Sequence, residues 1–158
     1  HYIKEARRSS KLPILRKDFL YDPYQVLETR ALGADCILII MAAVSDQQAK
    51  DLEDTAIHCG LDVLIEVHNA EELKRAFKLK SKLIGINNRD LKTFNTELKT
   101  TIELAAKIPE AYLIVSESGL NSKNELSKMA RINVKSFLIG ESLMRKKNIK
   151  ESIEELLN

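Results

Sequence analysis

Six short apolar runs, each followed by a polar stretch with helical signals, constrain this chain more than any other feature of its sequence. The runs fall at residues 13–16, 36–40, 62–67, 83–86, 112–115 and 136–139. Their starts lie about 20 to 30 residues apart, the length of a strand plus a crossover helix. Near-continuous Ile, Leu and Val content calls for strands covered on both faces, and so for a parallel sheet. Between the runs, Asp22 precedes Pro23 as a cap residue precedes a first-turn proline, and Gly33 is placed to end that helix. Ser45 with Gln48, and Ser122 with Glu125, have capping-box spacing. Helices are expected over residues 2–10, after each strand, and over 149–157. The order is one helix and then six βα units.

An open doubly wound sheet and a barrel both accept that order. A nucleotide-binding open sheet would carry G-x-G-x-x-G after its first strand, and a phosphate loop would carry G-x-x-x-x-G-K-[ST]. The five glycines are scattered and form neither motif. Net charge is +2, from 25 basic and 23 acidic residues, and aromatic residues make up only 5%. Neither nucleic acid nor a membrane surface is therefore expected as a partner. Cys36 and Cys59 lack metal or CxxC spacing and read as reduced packing thiols of a cytoplasmic protein.

In a parallel α/β layout the working groups gather at the C-terminal ends of strands. Those positions hold Lys17, Glu66, Asn87, Arg89 and Glu117. A carboxylate after Val63, Leu64 and Ile65 is costly to bury unless it is paired or working. Charged or amide groups at successive strand ends supply an acid, a base and anion anchors for one pocket. Ser118-Gly119 and Gly140 follow the last two strands, where barrels commonly bind phosphate through backbone N–H groups. His68 reads as a loop or cap residue, His58 as a surface residue, and Arg145 to Lys147 as a solvated helix end.

These residues resemble a known family. Lys17-Asp18-Phe19, Asp22-Pro23-Tyr24-Gln25 and Ala31-Leu32-Gly33-Ala34-Asp35 are similar to the third βα unit of indole-3-glycerol-phosphate synthases. Leu64-Ile65-Glu66-Val67-His68, Asn87-Asn88-Arg89-Asp90-Leu91, Ser116-Glu117-Ser118-Gly119, Phe137-Leu138-Ile139-Gly140 and Leu143-Met144 continue the resemblance in order. It implies an incomplete TIM (β/α)8 barrel of about six βα units, a single domain over residues 1–158 holding strands three to eight. It implies ring closure of 1-(2-carboxyphenylamino)-1-deoxyribulose 5-phosphate to indole-3-glycerol phosphate, with loss of CO₂ and water. No cofactor and no metal are expected. By carry-over, Lys17 is the general acid and Glu66 the general base of dehydration. Asn87 and Arg89 hold the substrate, and Glu117 and Ser118 form the strand-seven site. Gly119, Gly140 and the backbone of Glu141 belong to the phosphate loops.

Relatives of this type are longer, and the first two βα units and a lid helix are not in this sequence. The chain opens inside an expected helix, so residues upstream, or a second chain covering open barrel edges, are expected. Alone, the 158-residue polypeptide is expected to have weak or no synthase activity and to self-associate through those edges. Other readings are a different sugar-phosphate barrel, such as a phosphoribosylanthranilate isomerase-like enzyme, and a non-catalytic phosphate-binding fragment.

Overall fold

The structure is a computed structural model and describes residues 2–157. The chain forms two compact units. The first runs up to Val67 and includes Glu71–Leu83; the second takes His68–Ala70 and the residues from Ile84 onward.

In the first unit, β1 (Leu15–Arg16), β2 (Cys36–Ile40) and β3 (Asp62–Val67) lie side by side in parallel. Register runs from Cys36 opposite Asp62 to Ile40 opposite Glu66. Ile37, Leu38, Ile39 and Ile65 are all buried. Each such side chain contributes about 1.5–3 kcal/mol relative to an exposed one, so the pair β2–β3 anchors the unit. β1 is shorter than the expected 13–16 run. Pro13 has no N–H, and the Ile14 N–H donates to Asp35 Oδ2 at 2.7 Å instead of to a neighbouring strand.

The helices of this unit follow local rules. Helix α1 (Tyr2–Ser9) stops one residue before the expected end. Its Arg7 reaches the Gly33 carbonyl at 3.1 Å and pairs with Asp35, fixing the helix to the turn before β2. Helix α2 (Pro23–Leu32) starts with Asp22 accepting the Tyr24 N–H at 2.8 Å. It ends at Gly33, whose φ of +92° suits a residue without Cβ. Helix α3 (Asp46–His58) carries the Ser45–Gln48 capping box. Helix α4 (Ala70–Ala76) follows β3.

The second unit holds β4 (Leu83–Asn87, all but its first residue), β5 (Leu113–Glu117) and β6 (Ser136–Leu138). They are adjacent in chain order. β5 and β6 are parallel, with Glu117 opposite Leu138. β5 begins one residue later than the expected 112–115 run, because the Tyr112 N–H closes a turn onto the Pro109 carbonyl, and it runs on to Glu117. Asn87 and Glu117 are therefore the last residues of strands. Helices α5 (Lys99–Ala105), α6 (Lys123–Arg131), α7 (Glu141–Met144) and α8 (Ile149–Leu157) complete the unit. The Ser122–Glu125 capping box opens α6.

Six successive βα units with neighbouring parallel strands in chain order are the repeat of a TIM (β/α)8 barrel, here incomplete. No helix among the described residues is long and apolar enough to cross a membrane.

Candidate active site

In the first unit, Lys17 follows β1 and Glu66 is the fifth residue of β3. The Glu66 backbone stays in the sheet, its carbonyl accepting the Met41 N–H at 3.0 Å. Its carboxylate is 1% exposed, against 43% for the Lys17 side chain. Lys17 Nζ donates to Glu66 Oε2 at 3.1 Å. An uncompensated buried carboxylate would cost several kcal/mol, and the ammonium offsets that cost from the solvent side. The pair places a proton donor and a proton acceptor side by side, the donor open to an incoming molecule.

In the second unit, Asn87 ends β4, and its Oδ1 accepts the Arg89 N–H at 3.0 Å. That bond closes a local side-chain turn just after the strand, and Arg89 is left part-exposed. The guanidinium pairs with the Glu141 carboxylate at the start of α7. Glu141 also accepts from Arg145 at 2.6 Å. Arg89 first, then Arg145, holds the Glu141 carboxyl below its ordinary range. The side chain of Glu141 is thus engaged, a partner that the sequence reading, concerned with its backbone, did not name.

Glu117 ends β5 and is buried. The chain then takes two left-handed residues in succession, Ser118 at φ +64° and Gly119 at φ +75°. Gly119 is needed for a second reason: a Cβ there would lie 2.6 Å from Thr96 Cγ2. Thr96 belongs to the loop after β4, which folds back so that Arg89 and Thr96 form an antiparallel bridge. Asp90 organises that loop by accepting the N–H groups of Lys92 at 2.8 Å and Thr93 at 2.7 Å. Those bonds hold its carboxyl below the usual range. Gly140 precedes α7 with φ −116°, so its backbone does not require glycine; a Cβ there would meet open space.

A cavity of about 270 Å³ opens at this end of the second unit, lined by His68, Asn87, Asn88, Asp90, Glu97 and Thr100 among others. His68 is therefore a wall residue of a cavity beside Asn87. Among the described residues no group of three or more His, Cys, Asp or Glu side chains is arranged to hold a metal ion. The sequence reading missed Asn88, Thr101 and Ser116, which are buried together beneath the end of β5. The doubled asparagine was its only local signal.

Comparison with known proteins identifies the kin of this arrangement. Residues 1–156 match the sequence profile of the family described as Indole-3-glycerol phosphate synthase. The chain is 56% identical to the indole-3-glycerol phosphate synthase of Azospirillum brasilense over 156 residues, covering 99% of this chain and 60% of that relative. It is 47% identical to that of Zymomonas mobilis subsp. pomaceae, covering 99% of this chain and 59% of the relative. The chain thus spans about 60% of the length of the curated relatives it matches. Among solved structures it is similar in fold to a chain of the tryptophan synthase complex of Pyrococcus furiosus. There the TM-score is 0.76 at 18% identity, over 98% of this chain and 71% of that one.

Proposed function

Because the chain belongs to the indole-3-glycerol phosphate synthase family, we propose that the protein carrying it closes the indole ring. Its substrate is 1-(2-carboxyphenylamino)-1-deoxyribulose 5-phosphate, and its products are indole-3-glycerol phosphate, CO₂ and water. The observation that carries this reading is the Lys17–Glu66 pair, a half-exposed ammonium 3.1 Å from a buried carboxylate.

The chemistry needs those two groups. The ring carbon bearing the carboxylate bonds to the ketone carbon, and the Lys17 ammonium gives its proton to the ketone oxygen as charge develops there. CO₂ leaves the same ring carbon, and its bonding electrons restore the aromatic ring. The new hydroxyl takes a second proton from Lys17, recharged from solvent, and departs as water while the nitrogen lone pair forms an iminium. Glu66 then takes the proton from the carbon between the nitrogen and the former ketone carbon, which completes the ring double bond. Arg89 grips the substrate carboxylate, a task for which a guanidinium fork is suited. Asn87 and Glu117 orient the sugar chain and the developing iminium. Ser118, Gly119, Gly140 and the backbone of Glu141 receive the phosphate. The protein works in the cytoplasm on this small molecule.

The test is an indole-fluorescence assay of the full-length protein. Lys17→Ala and Glu66→Gln are each expected to lower kcat by about a hundredfold or more, with the fold intact by circular dichroism. Undiminished kcat in Lys17→Ala would remove this reading.

A further inference from the structure

We propose that Asn88 is a positioning residue for this reaction: with Thr101 and Ser116 it sets the corner that carries Glu117, Ser118 and Gly119. The proposal rests on the function proposed above. It concerns a residue one step along the chain from the substrate-facing Asn87.

Asn88 uses every polar group it has. Its N–H donates to the Glu117 carbonyl at 2.9 Å, and its carbonyl accepts the Glu97 N–H at 2.9 Å. Side-chain Nδ2 lies 2.9 Å from the Glu117 carbonyl, 3.0 Å from that of Ser118 and 3.1 Å from Ser116 Oγ. Oδ1 accepts the Thr101 N–H at 3.1 Å and the Thr101 hydroxyl at 2.8 Å. Thr101 Oγ1 and Ser116 Oγ are 2.9 Å apart. Asn88 is 3% exposed, and Thr101 and Ser116 are fully buried.

The donor directions follow from the inventory of each group. Asn88 Oδ1 can only accept, so the Thr101 hydroxyl donates to it. The Thr101 oxygen must then accept from Ser116, and the Ser116 oxygen accepts from Asn88 Nδ2. The result is a closed ring of three hydrogen bonds with one direction of donation. Bonds in such a ring strengthen one another, and losing one member weakens the rest.

The ring acts on a corner that needs support. Ser118 has a Cβ, and a left-handed residue of that kind is held only where its surroundings enforce it. Asn88 Nδ2 reaches the carbonyls immediately before and at Ser118, so it fixes both peptide planes that follow Glu117. Thr101 ties the same amide to the start of α5. The direction of the Glu117 carboxylate and of the Ser118 and Gly119 N–H groups is therefore set from beneath by a buried amide whose own polar groups are taken up within the protein.

The experiment compares Thr101→Val, Thr101→Ser and Asn88→Ser in the full-length protein. Thr101→Val keeps the side-chain volume and deletes the hydroxyl that closes the ring; Thr101→Ser restores it. Expected are a fall in kcat on the order of tenfold to a hundredfold in Thr101→Val and Asn88→Ser, since small misplacements cost that much. KM should stay within about threefold, and Thr101→Ser should recover most of kcat. Amide exchange over residues 117–119 should quicken in Thr101→Val and return in Thr101→Ser. A purely structural residue would lower the melting temperature and leave kcat per folded molecule unchanged, and that outcome overturns the proposal. The two failures separate. Unchanged kcat in Thr101→Val beside an inactive Lys17→Ala overturns the positioning role alone. Full turnover in Lys17→Ala overturns the functional reading, and unchanged exchange at 117–119 in Thr101→Val then overturns the positioning role as well.

Discussion

Glu53 and Glu66 are both carboxylates with 1% exposure, yet they do different work. Glu53, on α3, accepts the backbone N–H groups of Lys80 at 2.9 Å and Ser81 at 2.8 Å, and so holds the turn before β4. Truncating it strands two part-buried donors. Glu53→Ala is expected to cost about 2–3 kcal/mol, seen as a lower urea midpoint; an unmoved midpoint would contradict that role. Asp54, beside it, is part-exposed and held at about 2 by the ammonium of Lys50 and then of Lys80. Its folded value lies below the unfolded one of about 4. The stability it contributes is present above that value and is lost as pH falls from about 4 towards 2. In Asp54→Asn the urea midpoint should depend less on pH across that window; equal slopes would refute the assignment. Cys36 behaves as an inert thiol, because burial pushes it up to about 11. It should resist iodoacetamide at neutral pH until the chain unfolds.

At the scale of elements, the caps were legible because they depend on neighbours within four positions. Asp22, Ser45 and Ser122 each cap the helix that their spacing announced. Asp22→Ala is expected to lower stability by about 1 kcal/mol, measurable by urea titration. The strand ends were less legible. β1 loses Ile14 because Asp35, 21 positions away, takes its N–H. β5 gains Ser116 and Glu117 because their backbones pair with β6, opposite Phe137 and Leu138, whatever their side chains. No apolar pattern encodes either result. The Asn88 ring was hidden for the same reason: it joins positions 88, 101 and 116, which have meaning together only after folding.

At the scale of the molecule, the βα repeat and the strand-end residues carried the fold class and the family. They did not carry the ionic partners of the site. Arg89 with Glu141 spans 52 positions and no local rule pairs them. The chain covers about 60% of its curated relatives. β1 ends the strand order of the first unit and β6 that of the second, each with a ladder edge beyond it. Expressed as this 158-residue polypeptide, the protein is expected to self-associate through such edges. A monomeric elution volume in size-exclusion chromatography would refute this.

The closeness of Gly119 to Thr96 has a consequence of its own. The bare backbone of Gly119, two residues past the end of β5, makes a notch for the Thr96 methyl of the hairpin that bears Arg89. Neither can grow without the other yielding. A side chain at Gly119 would still be strained by its left-handed backbone beside a smaller residue at position 96, so trimming Thr96 alone does not free position 119 to vary.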